Sequence, residues 1–189
     1  MAQALSQLTF KRLSVDSLHD FLNYFDHEAF TDNAKWAGCY CQFYLDDPAV
    51  TEASTITVER NRQTACDRVD AGQMQGYLAY EGTEVVGWCA AGASDLFKGV
   101  EGADETLARI MCFVIHPGHR GQGVAKALLR HALADFEARG FAAVEAAPYT
   151  QPHQLAANYR GHLSMYLAEG FEAVRDMGEC GTLVRKHFD

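Results

Sequence analysis

The 189-residue chain lacks the marks of a membrane, secreted or nucleic-acid-binding protein. No apolar stretch approaches the length of a bilayer span. The N-terminus carries neither a basic n-region nor a hydrophobic h-region, so no secretory leader is expected. Six cysteines are present but no C-x-x-C pair, which removes the usual zinc and dithiol spacings. Basic residues are in the minority, 16 Lys and Arg against 25 Asp and Glu. The resulting net charge of −9 argues against a general affinity for nucleic acid. Repeats, low-complexity tracts and linker-like runs are also missing.

What is present is the composition of a globular protein, 48% hydrophobic and 22% charged. The length suits one domain, expected over residues 8–189, with Met1 to Gln7 as a loose end. Cys89 and Cys112 lie inside apolar runs, so buried free thiols in a reducing cytoplasm are expected. Leu8 to Leu13 alternates like a strand, and Ser14 to Asp16 precede a helix carrying Leu18, Phe21, Leu22 and Phe25. A second helix is expected over Ser54–Ala71, with Ser54 as its cap. Strands follow at Gln75–Tyr80, Glu84–Gly92 and Leu107–Ile115. Then come a helix from Val124 to the stop at Gly140, a strand at Ala142–Ala147, a helix at Asn158–Ala168, and strands at Phe171–Arg175 and Thr182–His187. This order predicts an α/β domain, a sheet of mixed direction with helices on its faces.

The most telling segment is Arg120–Ala125, R-G-Q-G-V-A, set between the apolar run Ile110–Ile115 and the helix that starts at Val124. A strand, glycine loop and helix in this order aim several free N–H groups and a positive helix end at one point, which suits a phosphate. Gly121 and Gly123 let the main chain bend and come close. From Arg109 to Arg130 there are basic residues and no acids, so the segment is a basic island in an acidic chain. Neither the P-loop pattern nor G-x-G-x-x-G fits it, since Lys126 stands where the third glycine would be.

The loop resembles the R/Q-x-x-G-x-G/A signature of the GNAT superfamily, the Gcn5-related N-acetyltransferases, with Arg120 first, Gly123 fourth and Ala125 last. Ser164–Phe171, S-M-Y-L-A-E-G-F, is similar to the family's later segment, a helix with a tyrosine that ends in Gly-Phe. The resemblance runs from about Met74 to the C-terminus and more loosely over the start. It implies a mixed, mostly antiparallel central sheet flanked by helices.

The resemblance further implies acetyl-CoA as co-substrate. Its pyrophosphate would rest on Arg120, Gly121, Gln122, Gly123, Val124 and Ala125. Its pantetheine arm would pair with the main chain at Phe113 and Val114, with the Val114 N–H polarising the thioester carbonyl. Tyr166 takes the place of the general acid for the leaving thiolate. Tyr159 stands where many relatives carry an asparagine toward the cofactor, and Asn158 is one position off. No base is assigned. Asp104 and Glu105 lie at or before the strand start, Arg109 cannot accept a proton, and Glu145, His116 and Asp95 remain alternatives.

Asn33–Tyr44, N-A-K-W-A-G-C-Y-C-Q-F-Y, occupies the region that lines the acceptor site in the family. Trp36, Tyr40, Phe43 and Tyr44 are therefore the candidate substrate contacts, able to hold an amine by cation–π attraction, or else a hydrophobic loop packed on the sheet. The Cys39/Cys41 pair has no second pair to complete four ligands, so no metal is expected. The expectation is a cytoplasmic N-acetyltransferase working by direct attack on acetyl-CoA. Its acceptor would be a small-molecule amine, or second a protein amine, with no nucleic-acid or membrane partner; a homodimer stays open. The alternative is a module that senses acyl-CoA and transfers nothing.

Overall fold

The computed structural model describes residues 8–49, 51, 52, 55–150 and 158–188. The loose end expected at residues 1–7 lies outside them. Seven strands form one sheet: β1 (Leu8–Arg12), β2 (Gly76–Glu81), β3 (Glu84–Ala93), β4 (Leu107–Ile115), β5 (Ala143–Ala146), β6 (Glu172–Asp176) and β7 (Thr182–His187). Their order is β1-β2-β3-β4-β5-β7-β6. Every pairing is antiparallel except β4 with β5.

The chain reverses between β2 and β3 at Gly82, whose φ of 60° suits glycine. β3 is buried over most of its length, because helices cover both faces of the sheet centre. On one face lies α3 (Val124–Ala138), which packs Leu128, Leu129, Ala132 and Phe136 at helical spacing against Ala79, Cys89 and Ile110. On the other lie α1 (Leu18–Asn23), its π-helical continuation Tyr24–Glu28, and α2 (Val58–Asp70). They enclose Trp88, Phe21, Tyr24 and Leu78.

Two helices start later than the sequence suggests. α2 begins at Val58, where the Thr57 hydroxyl accepts the Arg60 N–H at 3.1 Å; the expected cap, Ser54, lies outside the described residues. The helix expected from Asn158 shrinks to α4 (Leu163–Leu167), because Gly161 adopts φ +79° and His162 is extended. At the N-terminal helix, Ser17 Oγ accepts the Ser14 N–H at 3.0 Å, in the region expected to cap it.

One irregularity positions the site. Ala90 pairs with Cys112 and Ala91 with Ile110, so Met111 is an extra residue in β4. Such a bulge bends its strand. β5 accompanies β4 only over Leu107–Ile110. From Met111 to Ile115 the strand runs on without it, and a gap opens in the sheet.

Candidate active site

The gap is the floor of a cleft of about 900 Å³. Backbone direction along β4 sets what it offers. The Phe113 N–H donates to the Tyr159 carbonyl, away from β3, while the His116 N–H donates to Val86 in β3 at 3.0 Å. Strand residues alternate, so Phe113 and Ile115 turn their backbone groups to the cleft and Val114 turns its own toward Trp88. The Ile115 carbonyl indeed accepts Arg120 Nε at 3.1 Å. The Val114 N–H, expected to meet a thioester carbonyl, thus points into the sheet. Tyr24 reinforces that side by donating its hydroxyl to the Val114 carbonyl at 3.0 Å.

At one end of the cleft the Gly123 N-cap of α3 stands at φ +88° and Gly121 at φ +73°. Among the described residues, no backbone carbonyl takes the amides of Gly121 to Lys126. They form a cradle for an anion at the positive end of a 15-residue helix. Arg120 beside it is already engaged, bidentate on Asp32, and this bond ties together two distant parts of the chain. Lys126 faces Glu169 at 3.7 Å. The hydrogen bond from Arg130 holds the Glu169 carboxyl below its ordinary range.

Aromatic side chains wall the opposite end. Tyr159 meets Trp36 edge to face at 5.5 Å and Tyr149 at 6.1 Å. Arg160 lies over the Tyr149 ring at 4.7 Å and donates to the Tyr44 hydroxyl at 2.9 and 3.1 Å. Phe43 is 76% exposed and packs on Tyr44. The segment is fixed to α2: Asp46 accepts from Arg60 at 2.6 Å and from Arg68 at 2.8 Å, and Asn61 donates to the Gly38 carbonyl at 2.9 Å. Burial pushes the Asp46 carboxyl up, but the bonds and charges of the two arginines outweigh it, and it stays low.

Cys39, Cys41 and Cys112 line the middle of the cleft as free thiols. The hydrogen bond with Cys41 and burial push the Cys39 thiol up, and the hydrogen bond with Cys112 and burial push Cys41 up, so both stay protonated. Cys89 is buried, and burial raises its thiol likewise. Among the described residues, no group of three His, Cys, Asp or Glu is arranged to hold a metal ion.

The cleft brings together most of the residues singled out in the sequence. Phe113, Val114, Arg120, Gly121, Gly123, Val124 and Ala125 line its donor side. Asn158, Trp36, Phe43 and Tyr44 line the rest. Three do not reach it. Gln122 turns back so that its amide donates to the Gly118 carbonyl at 2.7 Å. Tyr40 is buried, stacked on Phe25 and bonded to Asp26. Tyr166 is fully buried behind Gly161, its hydroxyl donated to the Arg160 carbonyl at 2.8 Å, and burial raises it well above the usual phenol.

Of the candidate bases, Glu145 is buried in an ion pair with Arg185 at 2.5 Å, and His116 faces Glu28 at 3.6 Å. Neither lines the cleft, and nor does Asp95. Sequence reasoning passed over Asp32, Asp46 and the rim residues Ile56 and Val58. Two apolar residues two positions apart at the start of α2, Ile56 just before it and Val58 its first residue, were the available signal.

A model of the acetyltransferase (GNAT) family matches residues 19–161. The chain belongs to that family and is by that membership an acyltransferase, in a family whose co-substrate is acetyl-CoA. The fold is similar to that of PaiA N-acetyltransferase from Thermoplasma acidophilum in complex with coenzyme A, at 13% identity and TM-score 0.56, covering 96% of this chain and 99% of that one. It is also similar to ribosomal-protein-alanine N-acetyltransferase from Brucella melitensis, at 16% identity and TM-score 0.56, covering 95% and 99%. A third is yncA from Salmonella typhimurium with its cofactor acetyl-CoA, at 16% identity and TM-score 0.55, covering 96% and 94%. At such identities the likeness is one of fold. No curated protein matches the sequence. Among the described residues, no helix is long and apolar enough to cross a membrane.

Proposed function

We propose that the protein is an N-acetyltransferase that moves the acetyl group of acetyl-CoA to a primary amine by direct attack, in the cytoplasm. The observation that carries the reading is one continuous cleft. It joins the cradle of free amides at Gly121–Lys126 to the unaccompanied edge of β4 and then to the aromatic wall. A pyrophosphate on the cradle would extend a pantetheine arm along Phe113 and Ile115, an added strand in the gap. For the Phe113 N–H to meet the thioester carbonyl, it must exchange the Tyr159 carbonyl for it. Direct attack is supported by the protonated state of Cys39 and Cys41, since a thiol is a poor nucleophile.

In this reading Tyr166 protonates the leaving thiolate once its hydroxyl has left the Arg160 carbonyl. Asn158, at the cleft, contacts the pantetheine arm. The acceptor is a small-molecule amine in preference to a protein amine. A sensor of acyl-CoA that transfers nothing is the second reading, favoured because no carboxylate lines the cleft among the described residues.

Calorimetric titration with acetyl-CoA and CoA tests the first step, beside Gly123→Val, which forces a β-branched residue into a left-handed position. Micromolar binding lost in the variant supports the cradle. Release of CoA thiol in the presence of amines then separates the transferase from the sensor. Absence of binding to either ligand overturns both readings.

A further inference from the structure

The acceptor end of the cleft has a charge pattern that bears on which amine enters. Among the described residues that line it, none is Asp or Glu. Three acids on flanking elements are engaged by arginines, Asp26 by Arg62 at 3.0 Å, Asp32 by Arg120, and Asp46 by Arg60 and Arg68, while Glu59, next to Val58 on α2, is exposed to solvent and is not among the lining residues. Lys35 lines the same end. The rim is apolar. Phe43, Ile56 and Val58, exposed by 76%, 47% and 50%, are three of the six large hydrophobic side chains most open to solvent among the described residues, and all three border this cleft.

An ammonium entering this space would be desolvated against an apolar rim and a lysine, with no anion to meet it. It would also have to lose its proton with no carboxylate to take it. An amine that arrives largely neutral avoids both costs. An alkyl amine with a pKa of about 10.4 is neutral in roughly one molecule in a thousand near pH 7.5, whereas an α-amine with a pKa of about 8 is neutral in roughly one in four.

Building on the transferase reading above, we propose that the acceptor is a weakly basic primary amine carried on an aromatic or branched apolar frame, and that Phe43, Ile56 and Val58 select that frame. Attack by the neutral nitrogen forms the N–C bond. The thioester C–S bond breaks, Tyr166 protonates the leaving thiolate to give the CoA thiol, and the surplus proton on nitrogen passes through solvent to restore the Tyr166 phenol. Polyamines and lysine side chains are poor acceptors because they present strongly basic, multiply charged or isolated ammonium groups to a cleft without acids.

The test uses the full-length protein, four amines and release of CoA thiol at pH 7.5. Phenylalaninamide combines a weakly basic amine with an aromatic frame, glycinamide removes the frame, phenylethylamine raises the basicity, and spermidine supplies charge. Phenylalaninamide should exceed each of the others in kcat/KM by at least about tenfold. Ile56→Glu, at an exposed rim position, should lower the ratio of phenylalaninamide to spermidine by about tenfold, because it restores an anion at the mouth. Acetyl-CoA binding is measured in the same preparations. Binding followed by preference for spermidine or phenylethylamine overturns the acceptor inference and leaves the transferase standing. Binding with no amine raising thiol release above the acceptor-free rate also overturns it. Loss of acetyl-CoA binding itself overturns the transferase.

Discussion

Tyr166 shows how a residue legible by type can be placed differently by packing. A Ser-x-Tyr segment ending in Gly-Phe marks it in the sequence, yet its ring packs edge to face on Phe171 at 5.1 Å and its hydroxyl holds the Arg160 carbonyl. A phenol raised by burial remains a donor, so the acid role depends on motion rather than on ionisation. Tyr166→Phe keeps the ring and removes the donor. It should lower kcat about a hundredfold and leave the KM for acetyl-CoA within about twofold. A raised KM with kcat unchanged would instead assign the hydroxyl to holding the Arg160–Gly161 turn. Val114 carries the same lesson for the main chain. Its place in the strand was readable, but which of its neighbours faces the gap depends on the bulge at Met111, and a one-residue insertion leaves no mark in an apolar run.

At the scale of elements, strands and the long helix α3 were legible within a residue or two, because alternation and helical spacing repeat over many positions. Short α4 and the start of α2 were not, since each depends on one cap or one glycine. The segment from Ala34 to Asp47 is rich in aromatics and has no clean period to read. Its shape comes from side-chain bonds to α2, above all Asp46 between Arg60 and Arg68. Asp46→Asn should cost on the order of 2 kcal/mol at pH 7, by weakening charge-assisted bonds at a buried site. The Asp46 carboxyl is lower in the folded state than in the unfolded one, near 3.9. Its contribution is therefore full above that value and fades as pH falls through the folded one. Thermal melts should show the gap between variant and parent at pH 7 shrinking below about pH 4. A gap that does not change with pH would mean that the amide replaces the carboxylate without loss of charge pairing.

The whole molecule is two sheet halves joined along a short seam. Strands β1–β4 form one half and β5–β7 the other, and only Leu107–Ile110 and Ala143–Ala146 pair across the join. A pantetheine arm on the β4 edge would lengthen that join from within. Acetyl-CoA at about a hundred times its Kd should stabilise the fold by about 2.7 kcal/mol and raise Tm by roughly 5–10 °C. Hydrogen exchange should slow in β5 and β7 as well as at Gly121–Lys126. Protection confined to the loop would mean that the arm does not bridge the halves. A substrate that finished the sheet in this way would make the fold a gauge of its own supply, and limited proteolysis should then slow as the thioester concentration rises.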